Sequence, residues 1–389
     1  MANTLSNLAA DIYKAADVVG RELVGFIPSV SINGDATSTA AKGDTIRAAF
    51  TRTPTVSTTY SPSMTIPEGT DQTVDNKTMT LDTYANVQIP WTGEDVKHVN
   101  NGSGFETVYG DQIVQAMRAI TNSIEVAIGS AAYVASSRAF GSAGTAPFGS
   151  NFNEIAEVRQ ILADNGCPTN DGQLALVINS LAGTNLRQLA QLQKVNEAGD
   201  SSFLRQGELL NLQGFSMRES AGVAAHVAGA GTGADINNGA GEAIGQTTLT
   251  FDGMTVNSTG IKAGDIITGA SDSINKYVVG TGSVATGGDI VINNPGLRVA
   301  VADAVELTIG ASYAANLAFH RSAIELGIRP IAVPPGGDAA VDMMTVQDPH
   351  SGLIYTIAIY KGYKKAMFEI SCLYGIKAWK SDHIATLLG

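Results

Sequence analysis

The sequence predicts an α+β protein that combines one long helix, one long projecting pair of strands and a group of short strands. Three patterns predict it: strict alternation from Met79 to Trp91, an apolar stripe at helical spacing from Ile113 to Ala131, and short strand candidates between 247 and 309. A chain of 389 residues has room for two or three domains of ordinary size.

The composition limits the partners that the chain can bind. Charged residues are 15% of the sequence, against about 25% in an average soluble protein. Lys and Arg number 24 and Asp and Glu 36, for a net charge of −12. That balance argues against broad electrostatic binding to nucleic acid or to an anionic membrane, and a basic partner fits better.

The start of the chain carries no targeting signal that we recognise. Residues 1–5 lack the basic flank and apolar run of a secretory signal, and no window approaches the roughly 18 apolar residues of a membrane span. We therefore expect a soluble chain made in the cytosol. Residues 4–19 place apolar side chains at steps of three and four and predict a helix, and residues 25–43 read as an extended arm.

The clearest strand signal lies between Met79 and Trp91, where the apolar residues hold the odd positions. At about 3.3 Å per residue this run would extend for about 40 Å. Ile46 to Phe50 alternate as well, and the residues between are rich in proline. We predict a two-stranded arm over 45–92; two ordinary sheet strands joined by a loop are the alternative.

One face of this arm is the predicted contact with a neighbouring subunit, since a two-stranded hairpin alone is only marginally stable in water. The alternative is that this face packs inside its own subunit. The residues predicted to form the contact, with the last near the base of the arm, are Met79, Leu81, Val87, Ile89 and Trp91.

A long helix follows the arm. Ser103 and Glu106 have the spacing of a capping box at a helix start, and the apolar stripe then continues to about Phe140. At 1.5 Å per residue the helix would be about 50 Å long, which makes it a spine for the fold.

The second half of the chain alternates between helix and strand signals. We predict helices at 153–164 and 315–326, a buried strand at 174–178, and helical spacing over 186–192. Strands at 353–360 and 363–372 pair across the Lys361 and Gly362 turn. A glycine-rich linker from Gly229 leads into short strands that suggest a small inserted β-barrel over 241–311. These strand candidates are 247–251, 254–256, 265–268, 277–279, 290–292 and 305–309.

The sequence offers no catalytic constellation. None of its 5 histidines has a metal-binding spacing, and we expect the distant Cys167 and Cys372 to remain reduced thiols. Residues 229–234 fit a dinucleotide-binding glycine pattern, but turn-forming residues follow where a helix is required. We predict no cofactor, no metal and no enzymatic activity.

Four segments carry a resemblance to a known family: 214–220 with His226 and Gly229 downstream, 261–265, 315–324 followed by Arg329 and Pro330, and 373–375. In these segments the sequence resembles the major capsid (coat) proteins of tailed bacteriophages. Within that group it is similar to the short-tailed-phage coat family that carries an insertion domain.

The resemblance implies the Hong Kong 97-type capsid fold, here with an inserted small β-barrel. Its parts would be an N-terminal arm at 1–44, an E-loop hairpin at 45–92, a P-domain with the spine helix at 93–150 and the first part of an A-domain at 151–240. The insertion would be 241–311, and 312–389 would return through the A-domain and complete the P-domain sheet.

The resemblance also implies function and partners. Such proteins form icosahedral shells of hexamers and pentamers around double-stranded DNA, without sequence-specific binding or catalysis. A scaffolding protein, a portal and in some cases a decoration protein take part. The chain would be found in the virion, and in the host cytoplasm during assembly. The alternative function is a β-rich surface or tail adhesion protein, which the spine helix and the missing export signal disfavour.

Overall fold

The structure is a computed structural model with a mixed α+β fold. The residues that it describes are 24–34, 40–51, 56, 58–66, 74–100, 105–194, 209, 211–256, 259–348 and 351–389. The predicted helix at 4–19 and the Ser103 cap therefore lie outside the described residues. The described helices are α1 (Gly93–Asn100), α2 (Phe105–Val134), α3 (Asn153–Asp164), α4 (Ser180–Gln188) and α5 (Ala190–Gln193), with short 3-10 turns at Ile27–Ser29, Arg321–Ala323 and Ser381–His383.

The described strands of the first half of the fold are β1 (Ser31–Asn33), β2 (Thr45–Thr51), β3 (Val74–Thr80), β4 (Thr83–Thr92), β5 (Arg138–Phe140), β6 (Leu174–Ile178), β7 (Phe215–Glu219), β8 (Ala225–His226), β9 (Ala234–Ile236) and β10 (Thr248–Asp252). Those that follow are β11 (Ile266–Gly269), β12 (Asp272–Thr281), β13 (Gly288–Ile292), β14 (Glu306–Ile309), β15 (Tyr313–His320), β16 (Ile324–Arg329), β17 (Ala340–Gln347), β18 (Ile354–Gly362), β19 (Lys365–Ala378) and β20 (Ile384–Leu388).

Helix α2 is the spine of the fold, as the apolar stripe predicts. Ile113, Ile120, Ile124 and Ile128 are buried along one side in the largest apolar core. A six-stranded sheet of order β1-β16-β19-β18-β17, with β4 also paired to β19, contributes the opposite wall of that core. The adjacent β18 and β19 form the predicted hairpin, but its turn is Tyr363 and Lys364 rather than Lys361 and Gly362. The latter two lie at the end of β18, where Gly362 pairs with Lys365.

The spine helix is shorter than predicted, since α2 ends at Val134 and the residues up to Phe140 are not helical. Residues 138–140 form β5, which pairs in parallel with β20 and antiparallel with β12. Strand partners on both sides satisfy the backbone there, so tertiary pairing overrides the helical spacing.

The predicted helix at 315–326 is wrong. Residues Tyr313–His320 form β15, which lies between β20 and β6, and Ile324–Arg329 form β16. Most side chains of β15 are buried on both faces of the strand. A strand buried on both faces presents a nearly continuous apolar run, and such a run satisfies helical spacing as well.

The second sheet contains twelve strands among the described residues, and six of them form a closed circuit. The circuit runs β11-β14-β9-β10-β13-β12 and returns to β11. It encloses its own apolar core, which includes Phe251, Tyr277 and Ile290. The circuit begins at Ala234, ahead of the predicted boundary at 241, and β12 joins it to β5 of the remaining sheet.

The segment that precedes β1 is fixed against α2 by one carboxylate. Glu125, in the middle of α2, is 3% exposed. Its Oε1 accepts hydrogen bonds from the backbone N of Gly25 and Phe26 at 2.6 and 2.7 Å, and Oε2 accepts one from Ile27 N at 3.0 Å. Ser220 Oγ donates to Oε1 at 2.6 Å. One side chain thus joins the N-terminal segment, the spine and the β7–β8 connection.

Candidate contact surface between subunits

Strands β2 and β3 form an arm that belongs to neither large sheet. They pair with each other from Thr45 opposite Thr80 to Thr51 opposite Val74, as a separate two-stranded sheet. Strand β4 starts only at Thr83 and pairs with β19 instead. The alternating run from 79 to 91 is therefore divided between two sheets, with Leu81 and Asp82 at the division.

The base of the arm is attached to the body of the fold. Gly43 N donates to Leu81 O at 2.7 Å, and Leu81 N donates to Asp44 O at 3.3 Å. Lys77 Nζ donates to the backbone O of Trp379, and burial lowers the pKa of this lysine. Gly375 lets β19 approach closely, because a Cβ there would lie 2.3 Å from Thr80 O.

The tip of the arm exposes large apolar side chains. Val56 is 81% exposed, Tyr60 90% and Ile66 89%, and Met64 is fully exposed. Soluble monomers seldom expose apolar residues in such a group unless they form an interaction site. The sequence patterns did not point to these residues. The available signal was four large apolar side chains within a segment otherwise made of small polar residues and proline.

The five residues predicted to contact a neighbouring subunit lie elsewhere. Met79 and Leu81 are buried at the base of the arm, Ile89 and Trp91 are buried in the main core, and Val87 packs half-buried against that core. Trp91 Nε1 also donates a hydrogen bond to Gln112 Oε1 of α2 at 3.0 Å. In the free chain these side chains already pack within their own subunit, so their role between subunits stays a prediction.

The structure brings together two of the segments that carry the family resemblance. His226 Nε2 lies 2.7 Å from Asp265 Oδ1, and both residues are buried. Asp265 also accepts hydrogen bonds from the backbone N of Gly229 at 2.9 Å and of Lys262 at 2.6 Å. This carboxylate therefore fixes the chain where it enters the strand circuit, which is a structural role.

The two thiols are buried and free within the described residues. Burial raises the pKa of Cys167 to about 11 and that of Cys372 to about 12, so both remain protonated at neutral pH. No group of three or more His, Cys, Asp or Glu side chains in the described part of the chain is arranged to hold a metal ion. No helix there is long and apolar enough to cross a membrane.

Comparisons with solved structures identify the fold. A chain from Mycobacterium phage Che8 is 15% identical and superposes with a TM-score of 0.50, over 94% of this chain and 90% of that chain. A chain of the capsid structure of the cyanophage P-SCSP1u is 12% identical, with a TM-score of 0.51 over 95% of this chain and 88% of that chain. No family model and no curated protein matches this sequence. The chain has the fold of a phage capsid structure.

Proposed function

We propose that this chain is the major capsid protein of a tailed bacteriophage, which assembles into the icosahedral shell that encloses the double-stranded DNA genome. The observation that carries the proposal is the fold match over 95% of the chain to a cyanophage capsid structure. The motifs in the sequence point to the same class independently of that match. The protein would be structural and would lack enzymatic activity.

The exposed tip of the arm supports assembly from identical copies. A two-stranded sheet is marginally stable alone, and this one carries four almost fully exposed apolar side chains at its end. Contact with another copy would bury them and would order the arm at the same time. We propose that the tip residues Val56, Tyr60, Met64 and Ile66 form this contact, and that the five residues at 79–91 support the arm from its base.

The finer parts of the fold follow the Hong Kong 97-type plan in this proposal. The arm over 45–92 would be the E-loop, α2 the spine of the P-domain, and the two parts of an A-domain would flank the insertion. The closed strand circuit with its own core supports an inserted β-barrel. Its first strand, β9, suggests that the insertion starts near 234.

The partners follow from the same function. Copies of the chain would associate as hexamers and pentamers, with a scaffolding protein and a portal during assembly in the host cytoplasm and a decoration protein as a further possible component of the virion. The net charge of −12 supports a basic scaffold and a wall that holds DNA without specific contacts, because like charges repel.

Sedimentation velocity and negative-stain microscopy of the purified full chain test this function. We expect capsomers or closed shells of megadalton size above a threshold concentration, either alone or after addition of a basic scaffolding protein. A chain that remains monomeric across a titration of salt, protein and scaffold would contradict the proposal. Bovine serum albumin at the same mass concentration controls for nonspecific crowding.

A further inference from the structure

Arg329, at the end of β16, is a buried cation without a counter-ion among the residues that the structure describes. It is 6% exposed. Its Nη1 donates to the neighbouring Pro330 O at 2.8 Å, and its buried Nε has no hydrogen-bond partner among the described residues. Within the part of the chain that the structure describes, no carboxylate lies within ion-pair distance of it.

A second buried polar atom, on Thr356, lies beside it. Strand β4 pairs along one edge of β19. Strands β16 and β18 both pair along the other edge, end to end. Arg329 is paired with Leu373 and Thr356 with Ser371, which places Arg329 and Thr356 next to each other on one sheet face. Thr356 is 2% exposed, and its Oγ1 also has no hydrogen-bond partner in the described part of the chain.

This face is the one that points away from the spine helix. The neighbouring residues Ile328 and Ile357, on the opposite face, belong to the main core with α2. Glu369 is on the same face as Arg329 but farther along β19, where its carboxylate accepts a hydrogen bond from Tyr84 Oη. Glu325 of β16 is on this face as well, and its carboxylate accepts hydrogen bonds from Asn33 Nδ2 and Trp379 Nε1. Both acids that β16 and β19 place on this face are thus engaged elsewhere.

A guanidinium taken out of water normally requires a carboxylate to offset its desolvation. Its planar donors match the two oxygens of a carboxylate better than they match a single carbonyl. If Arg329 acted only within its own subunit, an apolar side chain of similar length would stabilise the fold as well or better. Replacement of buried charged groups by apolar residues of similar volume is often neutral or stabilising. Since no carboxylate of the described residues fills this place, the missing group is an anion from outside them.

We propose that Arg329 and Thr356 form a receptor for a carboxylate side chain of a second copy of this chain. The proposal rests on the assembly function proposed above. The chain carries 36 acidic residues against 24 basic ones, so a neighbouring copy readily supplies a carboxylate. The site also adjoins a solvent-exposed stretch that follows Pro330, with exposed residues at 332 and 334–339. Because Arg329 itself is 6% exposed, the proposal requires the neighbour to approach the guanidinium by way of this stretch.

The test uses the full chain with Arg329→Met, and Arg321→Met as the matched control. Arg321 is an exposed arginine just ahead of the same strand. Thermal melting is measured below the assembly threshold, and sedimentation gives the threshold itself. We expect Arg329→Met to melt at or above the wild-type temperature and to need at least tenfold more protein to assemble. We expect Thr356→Val to raise the threshold in the same direction, and Arg321→Met to leave it unchanged.

Two results would overturn the proposal. Assembly of Arg329→Met at the wild-type threshold would do so. If those particles also retained less DNA than wild-type particles, the anion would be a phosphate and not a carboxylate. A clearly lower melting temperature or aggregation of Arg329→Met below the threshold would show that the guanidinium serves its own subunit. If wild type and Arg321→Met both remain monomeric, the proposed function itself fails. If they assemble, only the Arg329 receptor is under test.

Discussion

At the scale of single residues, Glu125 shows how a buried carboxylate can be stabilised by hydrogen bonds. Three consecutive backbone N–H groups and one hydroxyl converge on it. Consecutive N–H groups at the start of a helical turn carry partial positive charge, which favours an anion there. The negative charge is thus stabilised by the dipoles of the N-terminal segment, which is held to the spine in return.

Glu125→Gln should lower stability. The amide keeps the shape of the side chain, but its NH2 group must face a backbone N–H that needs an acceptor. Hydrogen bonds to charged groups contribute about 1.5–3 kcal/mol each, so we expect the free energy of unfolding to fall by ~2 kcal/mol or more. Urea denaturation below the assembly threshold measures it. Glu157→Gln, at an exposed position on α3, is the control, and an equal effect of both changes would contradict the assignment.

His383 should make stability depend on pH. Burial, with Lys380 and His320 nearby, lowers its pKa from 6.5 to about 4. As pH falls below 6.5, the unfolded chain binds a proton that the folded chain does not bind until about pH 4. The free energy of unfolding is therefore highest, as far as His383 is concerned, above pH 6.5. It decreases as the pH falls from 6.5 towards 4.

We expect His383→Phe to show a flatter decline of melting temperature between pH 6.5 and 4 than wild type. His98→Phe, at an exposed position on α1, should keep the wild-type slope. Parallel curves for all three proteins would mean that His383 does not titrate in this window.

At the scale of elements, the exposed tip of the arm makes a direct prediction. Replacing Tyr60 and Ile66 together by serine should leave the melting temperature of the free chain unchanged, because both side chains are exposed there. In an interface each would contribute at least about 1.5 kcal/mol of apolar burial, so the pair should weaken each contact by ~3 kcal/mol, which is more than a hundredfold.

Sedimentation at increasing concentration measures that effect. The matched control replaces two exposed apolar residues in loops between strands of the circuit, Ile244 and Val284, by serine. If the control raises the assembly threshold as much as the tip variant does, general surface hydrophobicity would explain the result and the tip would lose its assigned role.

The limits of the sequence at this scale are visible in particular residues. Alternation correctly places Ile89 and Trp91 on the inner face of a strand. It does not reveal that the partner strand changes at Leu81 and Asp82, since the side-chain period is the same in either sheet. The helix that the sequence predicts from Ala315 is a strand because spacing alone cannot distinguish two-sided burial from a helical stripe. The exposed side chains at the tip could not be predicted for a related reason: apolar residues in a regular pattern usually mark a core, and those at the tip follow no regular pattern.

At the scale of the whole molecule, the net charge of −12 should oppose association of identical copies. Salt screens charges beyond about 10 Å at 0.1 M, and it affects buried pairs much less. We therefore expect the assembly threshold to fall as the salt concentration rises from 20 to about 500 mM. An uncharged solute at matched osmolarity should have a smaller effect. A threshold that rises with salt would mean that exposed ion pairs between copies outweigh their mutual repulsion.

The closed circuit of β9 to β14 has a consequence for crowded conditions. An open sheet ends in a row of unpaired N–H and C=O groups, and such a row can template the addition of strands from other molecules into fibres. Here β11 pairs with both β12 and β14, so the backbone N–H and C=O groups that an edge strand would leave unpaired are already hydrogen-bonded. Neighbouring molecules can meet this part of the chain only through its side chains. Contacts made by side chains have a fixed geometry and saturate, whereas backbone templating has no natural stopping point.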